Sequence, residues 1–317
     1  METVISVIIP VKNGQRTIKK CIDSILALPR QDVETIIIDD ASTDETPKIL
    51  ASYGDKITVL RSNGTGPSRA RNMAIAQAKG AYVAFTDADC VVDTLWLNEL
   101  MKGFSSIMIA AVGGDQRSPA DDSAFGKQVH GFLKAVGFIA DYVKSDSVYV
   151  VPTDHNPTCN VMYRTKVLLE AGGFCENLWP GEDLELDHRL KKNGWKFMYN
   201  PRAAVYHYRP GSMEAFIRMM TSYGRVQGVL VRWYGPFRML HYLPFTMGMC
   251  GILMLVLWGI EKTLVAAAVS AVVVGIYLFK RSGGQVFEVI AYSKLLVQGA
   301  LAWNRGYFAA LFSRHKQ

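Results

Sequence analysis

Two short runs near the start of the chain, Val4–Ile9 and Tyr82–Phe85, are almost unbroken in apolar side chains, a third, Val33–Ile38, ends in three consecutive isoleucines, and helical periodicity separates them. A strand that is apolar on both faces must be covered on both, which a parallel sheet flanked by helices achieves and a solvated hairpin does not. Arg16–Leu28, Thr43–Ala51 and Ser68–Ala78 are predicted as covering helices, and Ile57–Leu60 as a further strand. The fold class is therefore α/β. In such sheets ligands gather beyond the carboxyl ends of the strands. Four polar clusters fall at those ends: Pro10–Gly14, Asp39–Asp44, Asn63–Arg71 and Asp87–Asp89.

The run Ala81–Asp89 ends an apolar strand in two carboxylates one residue apart, Asp87 and Asp89. Carboxylates are hard oxygen ligands, and a divalent ion such as Mg²⁺ completes its shell with waters and phosphate oxygens, so a short acidic hook suffices to hold a metal–diphosphate. Two aspartates at a strand end also serve as a turn or a helix cap. After the first strand stands Pro10-Val-Lys-Asn-Gly14 rather than G-x-G-x-x-G, and no G-x-x-x-x-G-K-[ST] occurs, which disfavours a dinucleotide-binding or P-loop enzyme.

Apolar residues make up 50% of the 317, ample for a core, but they are unevenly spread. Leu243–Ile260 and Thr263–Phe279 contain no charged residue, and each approaches the ~17 residues needed to cross a bilayer. Both are apolar round the whole helical circumference, which favours a transmembrane hairpin over a pair of core helices. The net charge of +7 does not indicate a nucleic-acid partner. Lys280, Arg281, Arg305, Arg314 and Lys316 follow the hairpin, whereas its link offers only Glu261 and Lys262. The positive-inside tendency then places both hairpin ends and the preceding domain at the cytoplasmic face of the cell membrane. No basic segment and cleavage site follow Met1, so no signal peptide is expected. Cys21, Cys90, Cys159, Cys175 and Cys250 contain no C-x-x-C pair and read as isolated reduced thiols.

Further along, a helix is predicted over Ser123–Lys144 and a strand over Thr158–Arg164. A second helix opens at Glu182 and Asp183, sends Leu184, Leu186 and Leu190 to a core, and stops at Gly194. Acidic residues at that end complement the helix dipole whether or not they do chemistry. The chain returns through Phe197–Tyr199 and Ala203–Tyr206 to His207.

Five segments stand in order: Ser6-Val-Ile-Ile-Pro-Val-Lys-Asn13, Ile38-Asp-Asp-Ala-Ser-Thr-Asp-Glu-Thr46, Gly66-Pro-Ser-Arg-Ala-Arg-Asn72, Thr86-Asp-Ala-Asp89 and Gly181-Glu-Asp-Leu-Glu185. Over residues 4 to about 210 the chain resembles the family 2 inverting glycosyltransferases of GT-A fold, a Rossmann-like mixed sheet, in particular membrane-attached members that build exopolysaccharide and lipid-linked glycans. The resemblance implies that Pro10, Val11, Asn13 and Asp40 hold the nucleotide base, a carboxylate being suited to accept from uracil N3–H, while Asp39 and Ser42 cap the next helix. Arg69 or Arg71 would approach the base or the phosphates, where an arginine fork fits. Asp87 and Asp89 would bind the sugar nucleotide and its Mn²⁺ or Mg²⁺, with Asp89 the direct ligand. His207 either completes that metal site or is an ordinary polar residue at a strand end. Inversion by direct displacement needs one base to take the acceptor's proton. Asp183 is the candidate, with Glu182 orienting the acceptor or the base. Trp179 would stack on the acceptor sugar or anchor a lid. Sugar discrimination is expected from the region 113–157.

The organisation expected is a GT-A catalytic domain over 1–210, an amphipathic interface helix over 211–238, the hairpin over 239–280, and an amphipathic cytoplasmic tail over 281–317. Arg218, Arg225 and Arg232 recur every seven residues, a basic stripe that suits either lipid headgroups and an acceptor's phosphates or a solvated helix face. Gln285–Ala310 is interrupted by Glu288, Lys294, Gln298 and Arg305 and reads as interfacial rather than as a third crossing. Processive members of the family carry Gln-x-x-Arg-Trp; here Gln227 precedes Arg232-Trp233 by two residues too many, which argues against processive polymerisation. The function expected is metal-dependent transfer of a sugar from a nucleotide diphosphate, a UDP-sugar, to a lipid-linked polyprenyl glycan. A polyprenyl-phosphate sugar synthase shares the donor half. A nucleotidyltransferase would want a Gly-rich basic loop, of which Val11–Gly14 is a poor version, and a non-catalytic scaffold would lack the acidic base.

Overall fold

The structure, a computed structural model, describes residues 4–138 and 149–313. Its elements are β1 (Ile5–Val11), α1 (Ile18–Leu26), β2 (Val33–Asp40), α2 (Thr46–Ala51), β3 (Thr58–Ser62), α3 (Pro67–Ile75), β4 (Tyr82–Thr86), β5 (Cys90–Val92), α4 (Trp96–Lys102), β6 (Ile109–Arg117), α5 (Ala124–Ala135), β7 (Val151–Thr153), β8 (Asn160–Arg164), α6 (Thr165–Glu170), α7 (Glu182–Lys192), β9 (Lys196–His207), α8 (Met213–Tyr234), α9 (Met239–Arg281) and α10 (Val286–Leu311). They group into two compact units, one of residues 4–122 and 149–208, the other of residues 123–138 and 209–313.

In the first unit the strands form one sheet in the order β3-β2-β1-β4-β8-β6-β9-β5, with β7 also beside β9. β3, β2, β1 and β4 are parallel; β1, β2 and β4 are buried on both faces, as parallel strands require, whereas β3 lies exposed at the edge. The direction reverses at β8, antiparallel to both β4 and β6. Val7, Ile9 and Val11 cluster with Ile18 and Ile22 of α1 and with Trp96 and Leu100 of α4. Ile8 takes the opposite face, with Ala70 and Ala74 of α3, Val167 of α6 and Leu186 and Leu190 of α7. β5, β6 and α4 were not expected. Gly113 and Gly114 hide β6, since glycine weakens a strand signature. A Cβ at Gly114 would fall on the Ala203 carbonyl, so β6 and β9 approach only because none is there.

In the second unit α8 and α10 lie side by side through small residues. Gly224 meets the backbone of Trp303, Gly228 that of Tyr307, and Gly306 that of Thr221. α5 joins them where Phe132 sits 6.0 Å from Phe216 and 6.2 Å from Tyr292, ring centroid to centroid. α9 is broken at Gly259, whose φ of 75° and ψ of 174° are not helical. Two segments are long and apolar enough to cross a membrane by length and composition, Gly259–Arg281 and Val286–Leu311. The first exposes Leu264, Val265, Val269, Val272 and Val273. The second lies in the region expected as an amphipathic tail and is one helix whose glycine face is covered by α8. The helix expected over 123–144 is present to Ala135, and its last residues, like Arg314 and Lys316, lie outside the described residues.

Candidate active site

The loops that follow β1 and β2 latch onto each other. Asn13 holds a left-handed φ of 54° and Ala41 one of 59°, conformations that cost L-residues energy and persist only when neighbours enforce them. The Asn13 amide N–H donates to Ser42 Oγ at 2.9 Å, and its side-chain Oδ1 accepts from the Thr43 N–H at 2.8 Å. The Gly14 N–H adds a bond to Thr46 Oγ1 at 2.9 Å. Pro10 and Val11 are the last β1 residues in the ladder, and the Val11 side chain is buried in the core. Asp39 Oδ1 accepts from the Ser42 N–H at 3.0 Å, a bond within the loop rather than the cap expected on α2, whose N-cap is Glu45 and has no side-chain cap bond. Asp40 is also committed to backbone: it accepts from the Thr65 and Gly66 N–H groups at 2.9 and 3.0 Å and from the Ser62 hydroxyl, fixing the turn into α3.

On α3, two arginines one residue apart go different ways. Arg69 is half-exposed and donates from Nε to Glu176 Oε2 at 2.8 Å. Arg71 is buried, donating from Nη1 to Glu182 Oε1 at 2.6 Å and from Nη2 to Asp87 Oδ1 at 2.9 Å. Its fork thus joins the strand end of β4 to the first turn of α7 rather than opening toward solvent, a difference from the phosphate contact expected. Burial disfavours the Arg71 charge, but Glu182, Asp87 and Asp183 outweigh it and hold the guanidinium more firmly protonated than usual. Burial pushes the Glu182 carboxyl up to about 7 against the pull of Arg71, and raises Asp87 likewise. Glu182, expected to orient the acceptor or the base, is enclosed with its arginine.

Asp183, the next residue, is partly exposed, and its Oδ2 accepts from the Thr158 N–H at 3.1 Å. One helical turn on, Asp187 accepts from the Asn156 N–H at 3.0 Å and from Tyr163 OH at 2.6 Å, and its Oδ2 lies 2.8 Å from His155 Nδ1. Two carboxylates at i and i+4 therefore grip one segment, 155–158. That segment leads into β8, where Asn160 pairs with Thr86 and the Thr86 hydroxyl donates to the Cys159 carbonyl at 3.0 Å. Trp179, before α7, is 63% exposed.

β5 brings the remaining groups together. Cys90 pairs with His207 across β5 and β9, and His207 Nε2 lies 3.3 Å from Asp89 Oδ1. One ligand atom from each of Asp89, Cys90 and His207 lies within 4.8 Å of the others. An oxygen and an imidazole nitrogen of this kind fit a divalent cation, the imidazole favouring Mn²⁺ over Mg²⁺. Cys90 and, against the effect of burial, His207 draw the Cys159 thiol down to about 6. Sequence reasoning took both cysteines as bland. Adjacency to Asp89 was the one available signal for Cys90, and Cys159 had none.

In the second unit Arg218 is exposed and ion-paired with Glu214, and Arg225 is exposed. Arg232 differs: its Nη1 donates to the carbonyls of Ala310 and Ser313 at 3.1 and 3.3 Å, closing the end of α10. It does not share the outward stripe.

A mixed sheet with an Asp-x-Asp hook at the end of β4 and an acidic helix start facing the same strand ends defines the GT-A class of nucleotide-sugar transferase fold. The chain belongs to glycosyl transferase family 2, whose profile matches residues 6–171, just over half of it. It is 26% identical over 225 residues to a pre-mycofactocin glycosyltransferase of Mycobacterium tuberculosis, covering 69% of this chain and 46% of that protein. The chain thus spans about half the length of that relative. It is also 26% identical over 256 residues, 76% of this chain and 78% of the other, to a dolichyl N-acetyl-alpha-D-glucosaminyl phosphate 3-beta-D-2,3-diacetamido-2,3-dideoxy-beta-D-glucuronosyltransferase of Methanococcus voltae. In fold it is similar to a mannosyltransferase of Pyrobaculum calidifontis solved with GDP-Man and Mn²⁺, at a TM-score of 0.63 and 18% identity, covering 98% of this chain and 88% of that one.

Proposed function

We propose that the protein is a membrane-anchored, metal-dependent, inverting glycosyltransferase that moves one sugar from a UDP-sugar to a lipid-linked glycan. The observation that carries this reading is the ion-paired trio of Asp87, Arg71 and Glu182, which couples the Asp-x-Asp hook to the helix start bearing Asp183. Asp183 takes the proton of the acceptor hydroxyl as that oxygen bonds to the anomeric carbon and the bond to the nucleotide diphosphate breaks on the opposite face. A bound divalent ion neutralises charge on the departing diphosphate, and Asp89 and His207 are the residues that would hold it. Asp87 supports that end of the site with one oxygen on Arg71 and a side chain 31% exposed. The loops carrying Pro10, Val11, Asn13 and Asp40 cradle the base, with Arg69 at the rim. Trp179 offers an exposed ring for an acceptor sugar.

Two apolar segments support the anchoring. A relative whose own name specifies a dolichyl-linked acceptor supports a lipid carrier here, whose phosphates Arg218 and Arg225 would meet. The test is a pair of point changes. Asp183→Asn is expected to lower transfer by roughly 10²–10⁴-fold while UDP still binds, and Asp89→Ala to weaken Mn²⁺-dependent UDP binding. Normal turnover by either variant removes the assignment.

A further inference from the structure

We propose that the cleft at the β5 edge of the sheet, between α1 and the end of β9, binds a neutral sugar residue of the acceptor glycan, remote from the residue that receives the new sugar. The acceptor's part in this rests on the reading above; the cleft itself shares no residue with the Asp-x-Asp hook, the base loops or the helix start bearing Asp183.

β5 is the last strand in the sheet order and pairs with β9. Val91 and Tyr206 are directly opposed there, so their side chains share a face. Cys90 and His207 form the next pair and project from the other face, which keeps the cleft apart from the metal group. Tyr208, two residues beyond Tyr206, stays tied to the end of the ladder because its N–H donates to the Asp89 carbonyl at 3.0 Å. Lys20 of α1 and Asp121 of the loop after β6 border the other side. The Lys20 ammonium donates to one Asp121 oxygen and to the Tyr208 hydroxyl at 3.0 Å, and that hydroxyl donates to the second Asp121 oxygen at 2.7 Å. Three groups from separate parts of the chain thus fix one another in place. The space they border is about 390 Å³, within the roughly 300–1,000 Å³ usual for small-ligand sites.

The lining decides the ligand. Tyr206, Tyr208, Val91 and Pro119 offer ring and aliphatic surface, which suits the C–H face of a sugar. The charges are already balanced, Lys20 by Asp121 and Asp23 by Lys19 at 2.6 Å. An anion would face two carboxylates, and a cation would face Lys20. A hydrocarbon chain would strip water from the ion pair without replacing its hydrogen bonds, which is costly. A hydroxylated ring replaces them, since a hydroxyl both donates to a carboxylate and accepts from an ammonium. Two of the three Lys20 N–H groups are engaged, which leaves the third for such a hydroxyl. The Lys20 and Asp121 side chains are 52% and 57% exposed, so a ligand reaches them from solvent. A sugar in the cleft lies next to the chain segments that carry Asp89 and His207. An acceptor long enough to reach both places is held at two points and binds more tightly than a short one.

The full-length protein, in a detergent without a sugar headgroup, is titrated with the neutral disaccharides cellobiose, chitobiose, maltose and mannobiose and followed by saturation-transfer NMR. Saturable binding of at least one in the millimolar range is expected, and inorganic phosphate and hexanoate should not compete with it. Lys20→Ala and Asp121→Ala alter exposed side chains without opening the core. Each should weaken binding by roughly tenfold or more, the loss expected for hydrogen bonds to charged groups. Tyr208→Phe, which keeps the ring and removes only the hydroxyl, should weaken it less. Binding of none of the four sugars, binding indifferent to both alanine variants, or competition by phosphate overturns the proposal. Binding lost in Trp179→Ala but kept in Lys20→Ala assigns the sugar to the transfer site and overturns it too. UDP binding with Mn²⁺ is read in parallel. If UDP binds and no disaccharide does, only this inference falls; if a disaccharide binds as expected and UDP does not, the sugar site stands and the donor half of the proposed transfer falls.

Discussion

Arg71 is the single positive charge between Glu182 and Asp87; Arg71 and Glu182 are buried, and the Asp87 side chain is 31% exposed. Removing one partner of a buried ion pair leaves the others uncompensated, so Arg71→Met should cost about 3–5 kcal/mol, measured by urea unfolding at pH 8. Arg71→Lys keeps the charge but loses the fork, and should recover only part of that loss. Glu182 gives a pH signature. Its carboxyl is raised from an ordinary 4.5 to about 7, so between those values the folded protein holds a proton that the unfolded chain has released. Stability from this group is present at low pH and declines as pH rises through that window. Glu182→Gln should flatten the decline, read as Tm against pH. Asp187 acts at one remove from the proposed base by holding the segment that binds Asp183. Asp187→Asn is expected to lower stability by about 1–3 kcal/mol and to reduce kcat while the donor KM stays near its original value, measured by steady-state kinetics.

At the scale of elements, the glycine face between α8 and α10 is the sharpest constraint in the second unit. A side chain at Gly306 would fall on the Thr221 carbonyl, so Gly306→Val must push the helices apart. Overpacking of this kind typically costs about 1–3 kcal/mol, and the variant should show a lower Tm and faster proteolysis of α10. Charges at Glu288, Lys294 and Arg305 interrupt the apolar run of α10, and its covered face combines Gly299 and Gly306 with Tyr292, Leu295, Ala302, Trp303 and Tyr307. β1, β2 and β4 were legible because both their faces are buried, and α7 because its leucines keep a helical period. β6 was not legible, since its glycines answer to β9, a partner about ninety residues away. In the site the residue types were readable at each strand end, but their partners were not. Arg71 and Arg69 look equivalent in a motif, and only the placement of Glu182 and Glu176 separates them. Cys90 and Cys159 meet through a sheet order that sequence spacing does not encode.

For the whole molecule, the exposed valines of Gly259–Arg281 have no covering protein surface among the described residues, and a bilayer would supply it. Val269→Asp should weaken insertion by roughly 2.5–3.5 kcal/mol, seen as reduced flotation of the full chain with lipid vesicles, while Mn²⁺-dependent UDP binding persists. The second unit is also discontinuous in the chain: α5 belongs to it but is encoded inside the first. Phe132 is made about 160 residues before its partner Tyr292, and at roughly 5–20 residues per second a ribosome needs about 8–30 seconds to close that gap. During synthesis the apolar side of α5 must wait bare or in the care of a chaperone, which makes this short helix the place where biogenesis of the protein is most exposed to failure.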